Sequence, residues 1–141
     1  MESGDFHIFD AVQMVAVGVL LWFVFTMPGP WDLQRGLGTV LVMAGVCGIA
    51  SARYQLGRAF SITAQAHHLV TQGVYSKIRN PIYVFGTAAI AGFVLIVHRP
   101  VGWLLVSAAI VVQALRARRE ARVLEAAFGD AYREYRRKTW F

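Results

Sequence analysis

The residues best equipped for chemistry are Tyr75, Arg79 and Tyr83 in one segment and Glu120 further along the chain. A guanidinium grips a carboxylate through parallel N–H donors, an aromatic face attracts a cation, and a carboxylate accepts from hydroxyl or ammonium groups. Together they suit a polar ligand carrying charges of both signs. Each also has a plainer use: Tyr83 at a membrane entry serves as an interface anchor, and Arg79 as a charge that sets topology. His67 and His68 raise the question of metal, but zinc needs three or four converging ligands, and His7 and His98 lie in other segments, so no metal site is expected. The one cysteine, Cys47, lies in an apolar run and is read as a buried thiol, which excludes a disulfide framework.

Composition says what must hold these groups. Of 141 residues 57% are apolar, against ~45–50% in soluble domains, and 16% are charged, against ~25%. Mean hydropathy is +0.49. Soluble globularity, disorder and coiled coil are excluded, and the length allows a single domain over residues 1–141. No Asp, Glu, Lys, Arg or His occurs between Asp10 and Asp32, Arg35 and Arg53, Arg79 and His98, or Arg99 and Arg116. A hydrocarbon core of ~30 Å takes about 17 to 25 helical residues, so three of these runs are long enough. The fourth is completed by snorkelling arginine stems or by continuing its helix out of the membrane. The expected fold is an all-α integral membrane bundle of four transmembrane helices, spanning about residues 11–31, 36–52, 82–97 and 100–116. The acidic start, Met-Glu-Ser-Gly-Asp, lacks the basic region of a cleaved signal, so the first span is expected to be retained.

Pro28-Gly29-Pro30-Trp31 and His98-Arg99-Pro100 form short breaks between spans. The connection from Ser51 to Pro81 is long, basic and free of acids, and residues 116–141 carry eight basic residues against four acids. Twelve of the fourteen Lys and Arg lie in these two places, which puts both, and with four spans the N-terminus, on the cytoplasmic side. Topology thus explains the net charge of +6, and no nucleic-acid partner is needed. The expected setting is a bacterial or archaeal inner membrane. Gly45 with Gly48, and Ala88 with Gly92, offer small surfaces for helix packing.

Within the long connection, aromatic, aliphatic and turn residues interleave from Ala64 to Gly86, a composition that folds as a lid. Gly73 permits a turn with positive φ, and Asn80-Pro81 marks the entry to the third span. After the fourth span an amphipathic helix follows. At 100° per residue Ala117, Ala121, Leu124 and Phe128 share a stripe, Glu120 borders it, and Glu125 falls among Arg118, Arg119 and Arg122 on the other side. Glu120 is therefore the better site candidate, Glu125 the solvated one. Gly129 reads as the cap that ends this helix, with Tyr132 and Tyr135 as packing residues of a further turn.

Two blocks resemble a known family. His67-x-Leu69-Val70-Thr71-x-Gly73-Val74-Tyr75 followed by Arg79-Asn80-Pro81-x-Tyr83, and then Glu120-x-x-x-Leu124-x-x-x-Phe128-Gly129-x-x-Tyr132-x-x-Tyr135, are similar to the isoprenylcysteine carboxyl methyltransferase and phospholipid methyltransferase superfamily. The resemblance implies an integral membrane enzyme using S-adenosylmethionine, bound between the lid and the C-terminal helix, residues 64–86 and 116–135. It implies cofactor contacts from His67, Leu69, Val70, Gly73, Tyr75, Arg79, Asn80, Pro81, Tyr83 and Glu120, with Arg79 and Glu120 carrying the chemistry. Asn80 stands where the family often has a histidine and Ala121 where it often has a second glutamate. The expected acceptor is a lipophilic small molecule or lipid, such as an isoprenylcysteine-like carboxylate, entering sideways from the bilayer among membrane lipids.

Four other readings make different demands on the residues. Proton-coupled export calls for an ionisable residue inside a span, and every carboxylate lies outside the four runs. A sterol- or steroid-type reductase using NADPH shares the hairpin-and-lid design and is told apart by cofactor titration. A non-enzymatic membrane scaffold would bind neither cofactor. A soluble methyltransferase is excluded by the lack of any βαβ pattern or Gly-rich strand-turn-helix.

Overall fold

The computed structural model describes residue 15 and residues 18–56 and 69–141, and what it describes is built from helices with no strand among them. The elements are α1 (residues 18–26), α2 (Leu33–Leu56), a 3-10 turn (Gly73–Ser76), α3 (Pro81–Val97) and α4 (Gly102–Lys138).

The boundaries follow local chemistry. α1 ends before Pro28-Gly29-Pro30, and Asp32 then caps α2 by accepting the backbone N–H of Arg35 at 2.8 Å. Pro81 opens α3 at a position where a missing N–H is harmless. His98 ends that helix in the left-handed region at φ 55°, its N–H bonded to Leu95 O at 3.3 Å and its ring held by Ile96 O and Asp32. α4 covers 37 residues, and at ~1.5 Å per residue its stretch up to Gly129 is already longer than a ~30 Å hydrocarbon core. At Gly129 the backbone leaves helical geometry (φ 52°, ψ −120°), so the first helical stretch ends there, as expected of a glycine cap, and a second begins at once; α4 is two helices joined at a kink.

α2 and α3 pack backbone to backbone through small residues. A Cβ at Gly38 would lie 2.6 Å from the Gly92 carbonyl oxygen, and one at Gly45 2.7 Å from that of Phe85. The residue opposing Gly45 is Ala89, next to Ala88. Val24, Val42 and Ile96 form the buried core, with Leu20, Met27, Val46 and Phe93 around them. Elsewhere large apolar side chains face outward: Leu104, Leu105 and Val111 of α4 are 69, 67 and 58% exposed. Cys47 is exposed as well, which corrects the expectation of a buried thiol. Where hydrocarbon is the solvent, an apolar run no longer means burial inside protein. Among the described residues one helix, α2, is long and apolar enough to cross a membrane, and α3 is a shorter apolar helix.

Candidate active site

The antiparallel arrangement of α3 and α4 brings the start of one beside the middle of the other. Tyr83, in the first turn of α3, donates its hydroxyl to Glu120 Oε2 at 3.2 Å. The Arg116 guanidinium, one turn before Glu120, lies 6.0 Å from the centre of the Tyr83 ring. Burial pushes the Glu120 carboxyl above its ordinary value, while the Tyr83 hydrogen bond and the Arg116 charge pull the other way. The helical-face assignment agrees with the burial of Ala117, the half-burial of Glu120 and the exposure of Arg118, Arg119 and Arg122, whereas Glu125, expected to be solvated, is half-buried too.

Below the start of α3, the turn Gly73–Ser76 buries Tyr75. Its hydroxyl is pushed well up, first by burial and then by the negative charge of Glu120. Tyr135, from the last turns of α4, donates its hydroxyl to Tyr75 O at 2.8 Å, and its own ionisation is pushed up to about 12, chiefly by burial. Tyr132 packs on it with ring centres 6.2 Å apart and is 1% exposed. Both tyrosines feel Arg79, which favours their ionised form, and Glu120, which disfavours it, though burial outweighs both. Arg79 and Glu120 thus bear on one tyrosine-lined cluster, and no hydrogen bond or ion pair joins them. Among the described residues the Arg79 guanidinium has no hydrogen-bonded partner.

The segment from Gly73 to Asn80 is anchored on two sides. Gly73 adopts φ +60°, and a side chain there would overlap that of Gln55, whose Oε1 accepts the Val74 N–H at 2.7 Å. On the other side the last residues lie parallel to the entry of α3. Trp140 N–H donates to Lys77 O at 2.8 Å, and Arg79 N–H to Trp140 O at 2.9 Å. Asn80 donates to Phe141 O through its backbone at 3.0 Å and its side-chain amide at 2.9 Å. Asn80 therefore locks the C-terminal strap, Pro81 is buried at the head of α3, and Leu69 and Val70 lie half-buried in the coil before the turn. His67 and His68 lie outside the described residues.

The sequence model of a family described as phospholipid methyltransferase matches residues 33–131. The chain belongs to that family. Among curated proteins no match is found. The phospholipid methyltransferase match runs from α2 through the turn and α3 to the kink in α4, and so contains Tyr75, Arg79, Tyr83, Arg116 and Glu120. A family of methyltransferases acting on lipid accords with an all-helical chain that carries a membrane-length helix.

Three features of this phospholipid methyltransferase family member escape a reading of motifs alone. Glu125 pairs across the kink with Arg133 at 2.9 Å, where helical spacing suggested Arg122. The strap formed by Trp140 and Phe141 has no local signal, since backbone pairing leaves no side-chain pattern. Thr87 and Gln113, 3.0 Å apart between α3 and α4, lie one turn from Tyr83 and two turns from Glu120. Spacing from those two residues was the one clue to them.

Proposed function

We propose that this protein is an integral membrane methyltransferase that moves a methyl group from S-adenosylmethionine to a lipophilic acceptor. In this reading the chain spans the membrane four times, with both termini cytoplasmic and the acceptor entering from the bilayer beside α3 and α4. The observation that carries it is the Tyr83–Glu120 hydrogen bond of 3.2 Å between α3 and α4, which lies with Tyr75 and Arg79 inside the family match. The donor set fits the cofactor. A half-buried guanidinium with no hydrogen-bonded partner among the described residues suits a carboxylate, and a carboxyl whose one donor among them is a tyrosine suits an ammonium or ribose hydroxyl.

When bound, S-adenosylmethionine supplies a methyl group made electrophilic by its sulfonium. The protein's share is to hold and align. Arg79 would grip the carboxylate as a fork, Glu120 would accept from hydroxyl or ammonium, and Tyr75 and Tyr83 would offer aromatic faces to positive charge. The lid, fastened through Gln55 and the strap, keeps water from the cluster. A displacement in line needs alignment and a dry site more than a strong base, so few side chains carry the rate.

The test is transfer of labelled methyl from S-adenosylmethionine to prenylated carboxylates, amine-headed phospholipids and other lipophilic acceptors in reconstituted membranes, beside a titration with NADPH. Binding of NADPH and not S-adenosylmethionine would replace the methyltransferase with a reductase. Accessibility labelling should reach Thr71, Gln72 and Thr139 from the cytoplasmic side and Gln34 from the other. Gln34 and Thr71 on one side would overturn the four-span topology.

A further inference from the structure

A second polar contact between α3 and α4 lies within the uncharged runs, away from the charged cluster. Thr87 Oγ1 is 2.9 Å from the Tyr83 carbonyl oxygen and 3.0 Å from Gln113 Oε1. One hydroxyl has one proton and cannot donate to both. If Thr87 donates back along its own helix to Tyr83, the Gln113 amide turns to meet it with one N–H; if Thr87 donates to Gln113, both amide N–H groups stay spare. In either arrangement at least one N–H of Gln113 has no partner among the described residues.

The surroundings make that spare donor informative. Ser107, the hydroxyl residue of the same run, is satisfied by Trp103 O at 3.0 Å. Gln113 is half-buried at the seam of the two helices. Gly86 faces it, and a Cβ there would reach Gln113 Nε2 in ordinary van der Waals contact at 3.7 Å, so the missing side chain leaves room for a small group beside the amide. A polar group without a partner in hydrocarbon is costly, and such groups face a ligand or another polar group. Along the helix axes the pair lies ~6–10 Å from the Tyr83–Glu120 contact, one turn on α3 and two on α4.

We propose that Gln113, positioned by Thr87, donates a hydrogen bond to an ester carbonyl oxygen in the body of the lipid acceptor while the acceptor's nucleophilic head lies at Tyr83 and Glu120. This rests on the methyltransferase reading and adds a residue that sets acceptor choice. Acceptors with an ester carbonyl about two helical turns from the nucleophile are favoured over those that are hydrocarbon at that depth.

The test compares an ethanolamine-headed diester glycerophospholipid with its diether twin, identical in head and chain length but lacking the carbonyls, using the full chain in nanodiscs. The parent protein should show a KM roughly 2- to 12-fold lower for the diester at similar kcat, the size of one neutral hydrogen bond. Gln113→Leu and Thr87→Val should erase that preference without changing S-adenosylmethionine affinity, and Thr87→Ser should keep it. The parent comparison needs no variant, so a misfolded mutant does not spoil it. Equal KM values in the parent, or a preference that survives Gln113→Leu, overturns the inference. Should neither lipid be methylated and S-adenosylmethionine not bind, the proposed function fails. Displacement of a fluorescent diester lipid by each twin then still decides Gln113: better displacement by the diester, lost in Gln113→Leu, supports it, and equal displacement overturns it.

Discussion

α3 has a polar cluster at each end, and the two treat their arginines in opposite ways. Beyond its C-terminus Arg35 is 3% exposed and donates to Gly29 O at 3.0 Å, Val24 O at 2.9 Å and Met27 O at 2.7 Å. Its guanidinium also lies 4.5 Å from the Trp31 ring centre, and only its Nε lacks a partner. Asp32 and His98, 3.0 Å apart, then tie the first loop to the second hairpin. At the other end Arg79 is half-buried with its guanidinium unbonded among the described residues, and Glu120 has one donor in Tyr83. A buried cation with three of its N–H donors on its own chain's carbonyls is a staple, because most of its bonding is spent within the fold. Groups held in place but unsaturated are what a binding site needs, and burial of Glu120 shifts its protonation in the sense typical of such sites.

Mutations that hit one end and spare the other test this contrast. The largest effect is expected at Arg35. Arg35→Met leaves three carbonyls without their charged donor and should cost about 3 kcal/mol or more of stability, seen as a lower melting temperature in detergent, with S-adenosylmethionine affinity of the folded fraction unchanged. A variant that melts like the parent would make Arg35 no staple. Arg79→Lys should do the reverse: it keeps the charge, loses the fork, and weakens cofactor binding by about 1.5 to 3 kcal/mol, roughly 10- to 150-fold by calorimetry, at unchanged melting temperature. Undiminished affinity would return Arg79 to being a topology residue.

Smaller effects sharpen the contrast within α4. Glu120→Gln should weaken cofactor binding by about 1 to 3 kcal/mol, while Glu125→Gln, losing an exposed pair worth ~0.3–0.5 kcal/mol, should leave binding within error. Because the Glu120 carboxyl is raised, parent affinity should fall on acidification with a midpoint above the ordinary glutamate value, and the Gln variant should lose that step. Equal losses at both glutamates would place the pocket elsewhere.

The smallest effect is expected at the staple's outer pair. Asp32 is held below its ordinary value, first by the Arg35 N–H and then by His98, so its contribution is present above the unfolded carboxylate range and fades as pH falls through the folded value. His98 is raised, first by the Ile96 carbonyl and then by Asp32, so its contribution is full below the unfolded histidine value near 6.5 and fades as pH rises through the folded one. Melting temperature should therefore peak slightly between those limits, and His98→Gln should flatten the alkaline side.

Much of this molecule is legible in the residues themselves. Uncharged runs bounded by Asp32, Arg53, Arg79 and Arg99 mark where helices run, and Pro81 and the His98-Arg99-Pro100 break fall where α3 begins and ends, because helix termini are decided by local backbone chemistry. The period of α4 separated Glu120 from the exposed arginines for the same reason: a helical face is a property of spacing. Other features depended on which surfaces meet. Arg35 looked like the boundary of a run and became a buried staple only because the backbones of α1 and its loop turn their carbonyls toward it. The Trp140–Phe141 strap, the Glu125–Arg133 pair across Gly129 and the Thr87–Gln113 contact all join residues that no periodicity links. Cys47 was misread since an apolar run does not say whether protein or lipid will cover it. Spacing along one element is local and cheap to specify, whereas partners across elements are chosen by packing, and that choice exists only once the helices have come together.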